Sequence, residues 1–272
     1  MSDRQMISAP PEVQDLIDGG ALFAVNSSGG KDSQATLITV ARLVPPTQLL
    51  VVHADLGEVE WHGALDHARA QAEAAGAPFI VSRARKTFFD LVEHRHRTYP
   101  AASAFPTSAA RQCTSDLKRD AIVRDTRRYA DQHHFTQIVT CMGMRAQESP
   151  RRAQQAVFKR SARYSTARRD WFEWLPIHAL STDEVFSVIH AAGQQPHPAY
   201  ARGNERLSCV FCIFGSRNDL RAGAAARPEL FERYVELERR TGSTLSQSRR
   251  PLEEVTGLSV AEAYALHARS LT

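Results

Sequence analysis

Apolar residues fall into short unbroken runs separated by stretches with helical spacing. Ala21-Leu22-Phe23-Ala24-Val25 is continuous and short, as in a strand buried on both faces. Leu37, Ile38, Val40, Ala41 and Leu43 then recur at helical spacing. Gln48–His53 reads as a second strand, about Glu60 to Ala75 as a helix, and Pro78–Ser82 as a third strand. Residues 86–97 predict a helix, 98–112 an irregular stretch, and a helix capped by Thr114 or Ser115 runs to about His134. Phe135–Met142 and Trp171–Ile177 read as the fourth and fifth strands, and Ser181 with Glu184 fits a capping box. Leu230, Phe231, Tyr234, Val235 and Leu237 have amphipathic helical spacing. The alternation predicts an α/β fold: a Rossmann-like, doubly wound, mainly parallel sheet with a helical C-terminal extension. Three segments are expected: a leader helix at 1–20, an α/β domain at 21–200, and a Cys-x-x-Cys turn with helices at 201–272 packed on it.

Composition narrows the class. The chain has 272 residues, 43% of them hydrophobic and 24% charged, as in an ordinary globular protein. No stretch approaches the roughly 18 apolar residues of a membrane span, and Met1-Ser2-Asp3-Arg4-Gln5 lacks the pattern of a signal peptide. A cytoplasmic protein is therefore expected. Four cysteines in such a chain argue against a disulfide framework, which turns attention to their spacing. The net charge of +4 does not by itself imply nucleic acid.

The most informative stretch is Asn26-Ser27-Ser28-Gly29-Gly30-Lys31-Asp32-Ser33, between the first strand and its helix. Glycines let such a loop turn its amides inward, and the helix N-terminus adds partial positive charge. The result is a cradle for phosphate or pyrophosphate. Lys31 adds a full charge, the Ser28 and Ser33 hydroxyls can donate to phosphate oxygens, and Asp32 suggests a bound magnesium ion. The spacing is not that of the Walker loop.

Ligands of such sheets sit at the carboxyl ends of strands. Asp55 and Gly57 fall at the end of the second strand. Asp55 reads either as a contact to ribose, adenine or metal, or as a solvated loop residue capping the next helix. Gly143, Arg145 and Glu148 follow the fourth strand. Gly143 permits close backbone approach, Arg145 can grip a phosphate bidentately, and Glu148 can orient or pair with that arginine. Arg151, Arg152, Lys159, Arg160, Arg163, Arg168 and Arg169 crowd into 151–169 with no acidic residue among them. The segment reads equally as a nucleic-acid patch or as a solvated loop.

Cys113 is expected at or just before a helix N-terminus, where the dipole and Arg111 favour a thiolate. Cys209 and Cys212 form a Cys-x-x-Cys turn, which points to a metal or a redox pair. Three thiolates suit an iron–sulfur cluster; zinc would want a fourth ligand such as His197 or Cys141. Cys141, inside a strand, otherwise reads as a small buried hydrophobe.

Ser28-Gly29-Gly30-Lys31-Asp32-Ser33 resembles the signature of the ATP pyrophosphatases with a PP-loop, which include the phosphoadenylyl-sulfate (PAPS) reductase group. Asp55-x-Gly57, Arg111-x-Cys113 with Leu117-Lys118, and Gly143-x-Arg145-x-x-Glu148-Ser149 resemble that group in the same order. The resemblance implies the adenine nucleotide α-hydrolase fold, an adenine nucleotide, anion contacts from Arg111 and Lys118, and a cysteine site formed by Cys113, Cys209 and Cys212. True reductases of the group carry a cysteine near the C-terminus and often lose the Lys-Asp pair. Here no cysteine follows Cys212, and Lys31 and Asp32 are present. The resemblance therefore implies ATP with Mg²⁺, pyrophosphate release helped by Lys31, Asp32, Lys118 and Arg145, and sulfur transfer. A 4Fe–4S cluster is the expected cofactor, zinc the alternative, and a persulfide or sulfide the donor. A PAPS or adenylyl-sulfate reductase, and a non-catalytic nucleotide-sensing or nucleic-acid-binding module, are the competing expectations.

Overall fold

The computed structural model describes residues 9–270. In chain order its elements are α1 (Pro11–Asp18), β1 (Leu22–Ser27), α2 (Lys31–Ala41), β2 (Leu49–Asp55), α3 (Ala64–Ala74), β3 (Phe79–Arg83), α4 (Phe88–Thr98), α5 (Gln112–Thr114), α6 (Asp120–Gln132), β4 (Gln137–Cys141), α7 (Pro150–Ala153), β5 (Phe158–Arg160), β6 (Asp170–Trp174), α8 (Thr182–Ala191), α9 (Arg217–Ala226), α10 (Pro228–Thr241), α11 (Leu252–Thr256) and α12 (Val260–Arg269). No helix among the described residues is long and apolar enough to cross a membrane. The pentapeptide Met1–Gln5 lies outside the described residues.

Six strands form one sheet in the order β3-β2-β1-β4-β6-β5. β1 pairs in parallel with β2 and β4, and β4 in parallel with β6. Strand order reverses at β1, so the ends of β1 and β4 lie side by side, with Val25 opposite Cys141. That reversal is where sheets of this kind bind ligands. The mainly parallel α/β expectation holds, with one addition: Phe158–Arg160 forms an antiparallel edge strand on β6 inside the segment read as a basic loop.

The central strands β1, β2 and β4 are largely apolar because both faces are covered. Phe23, Val25, Leu49, Val51, Val139 and Cys141 share one cluster with Leu16, Ile17 and Leu37. Their alternates Leu22, Ala24, Leu50, Val52 and Ile138 share another with Ala130 and Trp171. Burying each such large side chain contributes roughly 1.5–3 kcal/mol. α2 turns Ala35 and Ile38 towards Val185, Val188 and Ile189 of α8.

The chain divides into two compact units. The sheet unit comprises Met1–Ala54, Gly63–Ser82 and Ile122–His197. The helical unit comprises Asp55–His62, Arg83–Ala121 and Pro198–Thr272. The chain passes from the sheet unit to the helical unit after His197, and residues 55–62 and 83–121 also belong to the helical unit. The reason is an aromatic core that the chain order conceals: Tyr234 of α10 packs on Phe88 and Phe89 of α4, on Phe105 and on Phe211. Nor is α1 a separate leader, because Val13, Leu16 and Ile17 belong to the sheet's core.

Two helix starts differ from expectation. α3 begins at Ala64 rather than Glu60, after a 3₁₀ turn at Gly57–Val59 and a left-handed Gly63. The helix expected to be capped by Thr114 or Ser115 instead starts at Gln112, without a side-chain cap. It passes through a π-helical stretch, Ser115–Arg119, before α6.

Candidate functional site

In the sheet unit, β1 ends at Ser27 and the chain turns through Gly29 at φ +72° into α2. A Cβ on Gly29 would stand 2.5 Å from the Ala64 carbonyl oxygen, so only glycine fits. Gly143 lies as close on the other side, where a Cβ would meet the Asp32 backbone at 2.7 Å. The first turn of α2 is thereby wedged between α3 and the end of β4.

Two loop amides are taken by hydroxyls of the loop itself: Ser28 N donates to Ser33 Oγ (3.2 Å) and Gly29 N to Ser27 Oγ (3.2 Å). Ser33 Oγ in turn donates to the Gly30 carbonyl (2.9 Å). Ser33 therefore braces the loop rather than offering its hydroxyl to a phosphate, which corrects that expectation. Among the described residues, the amides of Gly30, Asp32 and Ser33 find no acceptor in the protein. They are the orphan donors of a helix N-terminus, and they suit an anion.

Three charges are locked together here. Lys31 Nζ donates to Asp32 Oδ2 at 3.0 Å and Arg145 Nε to Asp32 Oδ1 at 2.7 Å. Lys31 and Arg145 are each 4% exposed. Both oxygens of Asp32 thus face cations, and the carboxylate orients Lys31 and Arg145. The other guanidinium nitrogens of Arg145 donate to Gln147 Oε1 (2.9 Å), the Leu180 carbonyl (3.3 Å) and Thr182 Oγ1 (3.2 Å). Arg145 is held from four sides, so the expected bidentate phosphate grip gives way to a fixed positive charge beneath the loop. Gln147 and Thr182 are the residues sequence reasoning missed; Gln147 lay inside the quoted Gly143–Ser149 motif. Glu148 accepts from the Arg145 amide (3.0 Å) and pairs with Arg152.

The basic stretch loses much of its charge to neighbours. Arg152 pairs with Glu148, Lys159 with Glu173, Arg160 with Asp170 and Arg169 with Asp131. Arg163 lies over the Tyr164 ring. Four of the seven cations therefore have carboxylate partners from outside 151–169.

In the helical unit, Asp55 accepts from the Gly57 amide (2.8 Å) and from Arg83 Nε (2.7 Å). With Lys86 and Thr87 these residues line a cavity of about 160 Å³.

The same unit carries Cys113, Cys209 and Cys212. The Cys-x-x-Cys turn is anchored by pairing of Cys209 with Glu60 and by Val210 N donating to the Val59 carbonyl (2.8 Å). Gly223 makes room for it, since a Cβ there would lie 2.8 Å from Val210 Cγ1. Lys118 Nζ donates to Ser208 Oγ at 2.7 Å, beside Cys209. Burial pushes the Lys118 pKa down, but the negative charge that Cys209, Cys212, Cys113 and Glu60 carry when ionised pushes it up by more, so the net direction is up. Burial pushes the Cys113 thiol up, against the expected thiolate; Lys118 opposes this and Cys212 adds to it. Cys209 is pushed up to about 12, chiefly by burial.

No group of three or more His, Cys, Asp or Glu among the described residues is gathered around a single metal ion. The thiols are electrostatic neighbours: Cys212 adds to the upward push on Cys113, and both add to that on Cys209. Cys141 is fully buried in β4 and packs in the sheet core, in keeping with a small hydrophobe. His197 sets its ring edge-on to His67 at 5.5 Å in the sheet unit.

Residues 23–214 match the phosphoadenosine phosphosulfate reductase domain, and the chain belongs to that family. It is 29% identical over 175 residues to an uncharacterized 37.8 kDa protein of Escherichia phage 186, covering 64% of this chain and 49% of that protein. It is 22% identical over 222 residues to an uncharacterized protein of Methanocaldococcus jannaschii, covering 81% and 49%. The chain thus spans about half the length of the curated relatives it matches. Among solved structures it is similar to PAPS reductase from Candida auris in a phosphate complex, with 11% identity, a TM-score of 0.45, and coverage of 75% of this chain and 97% of that one.

Proposed function

We propose that this chain is an ATP-cleaving, pyrophosphate-releasing enzyme of sulfur transfer. The observation that carries this reading is the loop 28–33: unpartnered amides of Gly30, Asp32 and Ser33 at a helix N-terminus, with Lys31 and Arg145 fixed on Asp32. Charge held in place before the reaction suits a group whose negative charge grows as it leaves.

In this scheme the β- and γ-phosphates of ATP take the open amides, and Lys31 and Arg145 offset their charge. An acceptor oxygen attacks the α-phosphorus. The bond from that phosphorus to the β-bridging oxygen breaks, and pyrophosphate leaves with the electron pair. Sulfide then displaces AMP from the adenylated acceptor, forming a carbon–sulfur or phosphorus–sulfur bond as the bond to the adenylated oxygen breaks. Asp32 keeps both cations oriented throughout. Cys113, Cys209 and Cys212 would hold an iron–sulfur cluster, which when bound supplies a site for sulfide. Lys118 balances the charge of those thiolates.

The test is pyrophosphate release from ATP by the wild-type chain and by Lys31→Ala. The variant should lose it. Unchanged ATP cleavage in the variant means the loop assignment is wrong. Sulfite formed from PAPS and thioredoxin, with no pyrophosphate from ATP, would instead favour the reductase reading. ATP bound but left intact, with no sulfite, would favour a nucleotide-sensing module.

A further inference from the structure

The cavity of about 160 Å³ is lined wholly by residues of the helical unit, and Asp55 is the one carboxylate in its lining. Both oxygens of that carboxylate are engaged: Oδ1 accepts from the Gly57 amide (2.8 Å) and Oδ2 from Arg83 Nε (2.7 Å). The Asp55 side chain is 13% exposed, that of Arg83 70%. Asp55 therefore does not present its charge to a ligand; it steers a guanidinium to the rim of the cavity.

The rest of the lining is cationic, hydroxylic or apolar. Lys86 is exposed, and among the described residues it makes no hydrogen bond or ion pair; its electrostatic neighbour is Asp90, outside the lining. Thr87 Oγ1 accepts from the Asp90 amide (3.1 Å) as the cap of α4, which leaves the hydroxyl proton to donate. The inner wall is hydrocarbon: Leu56, Phe88 and Leu117 are all buried. The volume is below the roughly 300–1,000 Å³ of pockets that enclose a drug-sized ligand, so the occupant is small.

We propose that this cavity binds a small organic anion, a phosphate monoester whose compact apolar body lies on Leu56, Phe88 and Leu117 while Arg83 and Lys86 hold its head. A monoester carries close to two negative charges at neutral pH, and two cations on one rim match them. An uncharged nucleoside gains nothing from either cation, and Asp55, already engaged, is not there to accept from its hydroxyls. The assignment is independent of the reading of loop 28–33.

Calorimetric titration of the full chain with phenyl phosphate tests it, with thermal melts to check that each variant is folded. Phenyl phosphate should bind about ten-fold tighter than inorganic phosphate, because its ring adds buried apolar area. Lys86→Gln should weaken it about ten-fold and Lys86→Glu further, while Lys31→Ala binds it as wild type does. Equal binding by wild type and Lys86→Glu would overturn the assignment. So would binding lost in Lys31→Ala and kept in Lys86→Glu, which would put the phosphate in loop 28–33 and leave the reading of that loop standing. Displacement of phenyl phosphate by adenosine would also overturn it, because the cavity would then take an uncharged nucleoside.

Discussion

Arg145 Nε donates to Asp32 Oδ1 at 2.7 Å across 113 positions of sequence. The bond joins the turn after β4 to the first turn of α2, and it spends the carboxylate on orienting charge. Replacing Asp32 by Asn should leave the buried Arg145 without the carboxylate it donates to. A loss of roughly 3 kcal/mol is expected, the lower end for a broken buried pair because the Asp32 side chain is 23% exposed. Pyrophosphate release should fall about a hundred-fold. Urea denaturation and a pyrophosphate assay check both numbers; a variant of wild-type stability would show that the three charges do not act together.

Gly143 permits the approach of β4 to α2. In Gly143→Ala the new Cβ would meet the Asp32 backbone carbonyl at 2.7 Å, and neither side can yield by a rotamer change. The expected loss is about 1–3 kcal/mol of stability, with weaker ATP binding because the open amides are displaced. Gly29→Ala should be worse, since it adds a strained φ of +72° to a 2.5 Å contact. Thermal melts with and without ATP would measure both effects.

Burial keeps the thiols of Cys113 and Cys209 protonated near neutrality, and the Lys118 charge works against this at both. The metal-free folded chain should therefore react slowly with iodoacetamide at pH 8, and Lys118→Met more slowly still, while the unfolded chain reacts fast. Faster alkylation of the variant would contradict the charge assignment.

His67 carries a pH dependence. Its pKa is lowered from 6.5, first by burial and then by His197. The folded chain therefore binds a proton less readily than the unfolded chain. This contribution to stability is present above about pH 6.5 and is lost as the pH falls below that value towards the folded pKa. Urea midpoints should drop between pH 7 and pH 5, and His67→Gln should flatten that slope. An unchanged slope would place the titration elsewhere.

Much of this was legible in the residues. The strands announced themselves because burial on both faces leaves no polar alternation to blur them. The phosphate loop was legible because tight turns demand glycine and anion sites demand amides and lysine. The role of Arg145 was not, because its four partners come from β4's own turn, from α2 and from the segment around Leu180 and Thr182. The basic stretch was overrated for a related reason: a charge count along 151–169 cannot see Asp131, Glu148, Asp170 and Glu173 arriving from outside it. For Cys113, the helix-end argument omitted desolvation, which is the larger influence on that thiol.

The sequence by itself determined the order of strands and helices apart from the edge strand Phe158–Arg160, the family, and the residue types at the loop and the cysteine turn, because these follow from local periodicity and from steric demands made by neighbours in the chain. Only the tertiary structure decided which charges neutralise one another and which segments join the aromatic core around Tyr234. Coulomb interactions, desolvation and packing act through space, and they are set by residues that chain order keeps far apart.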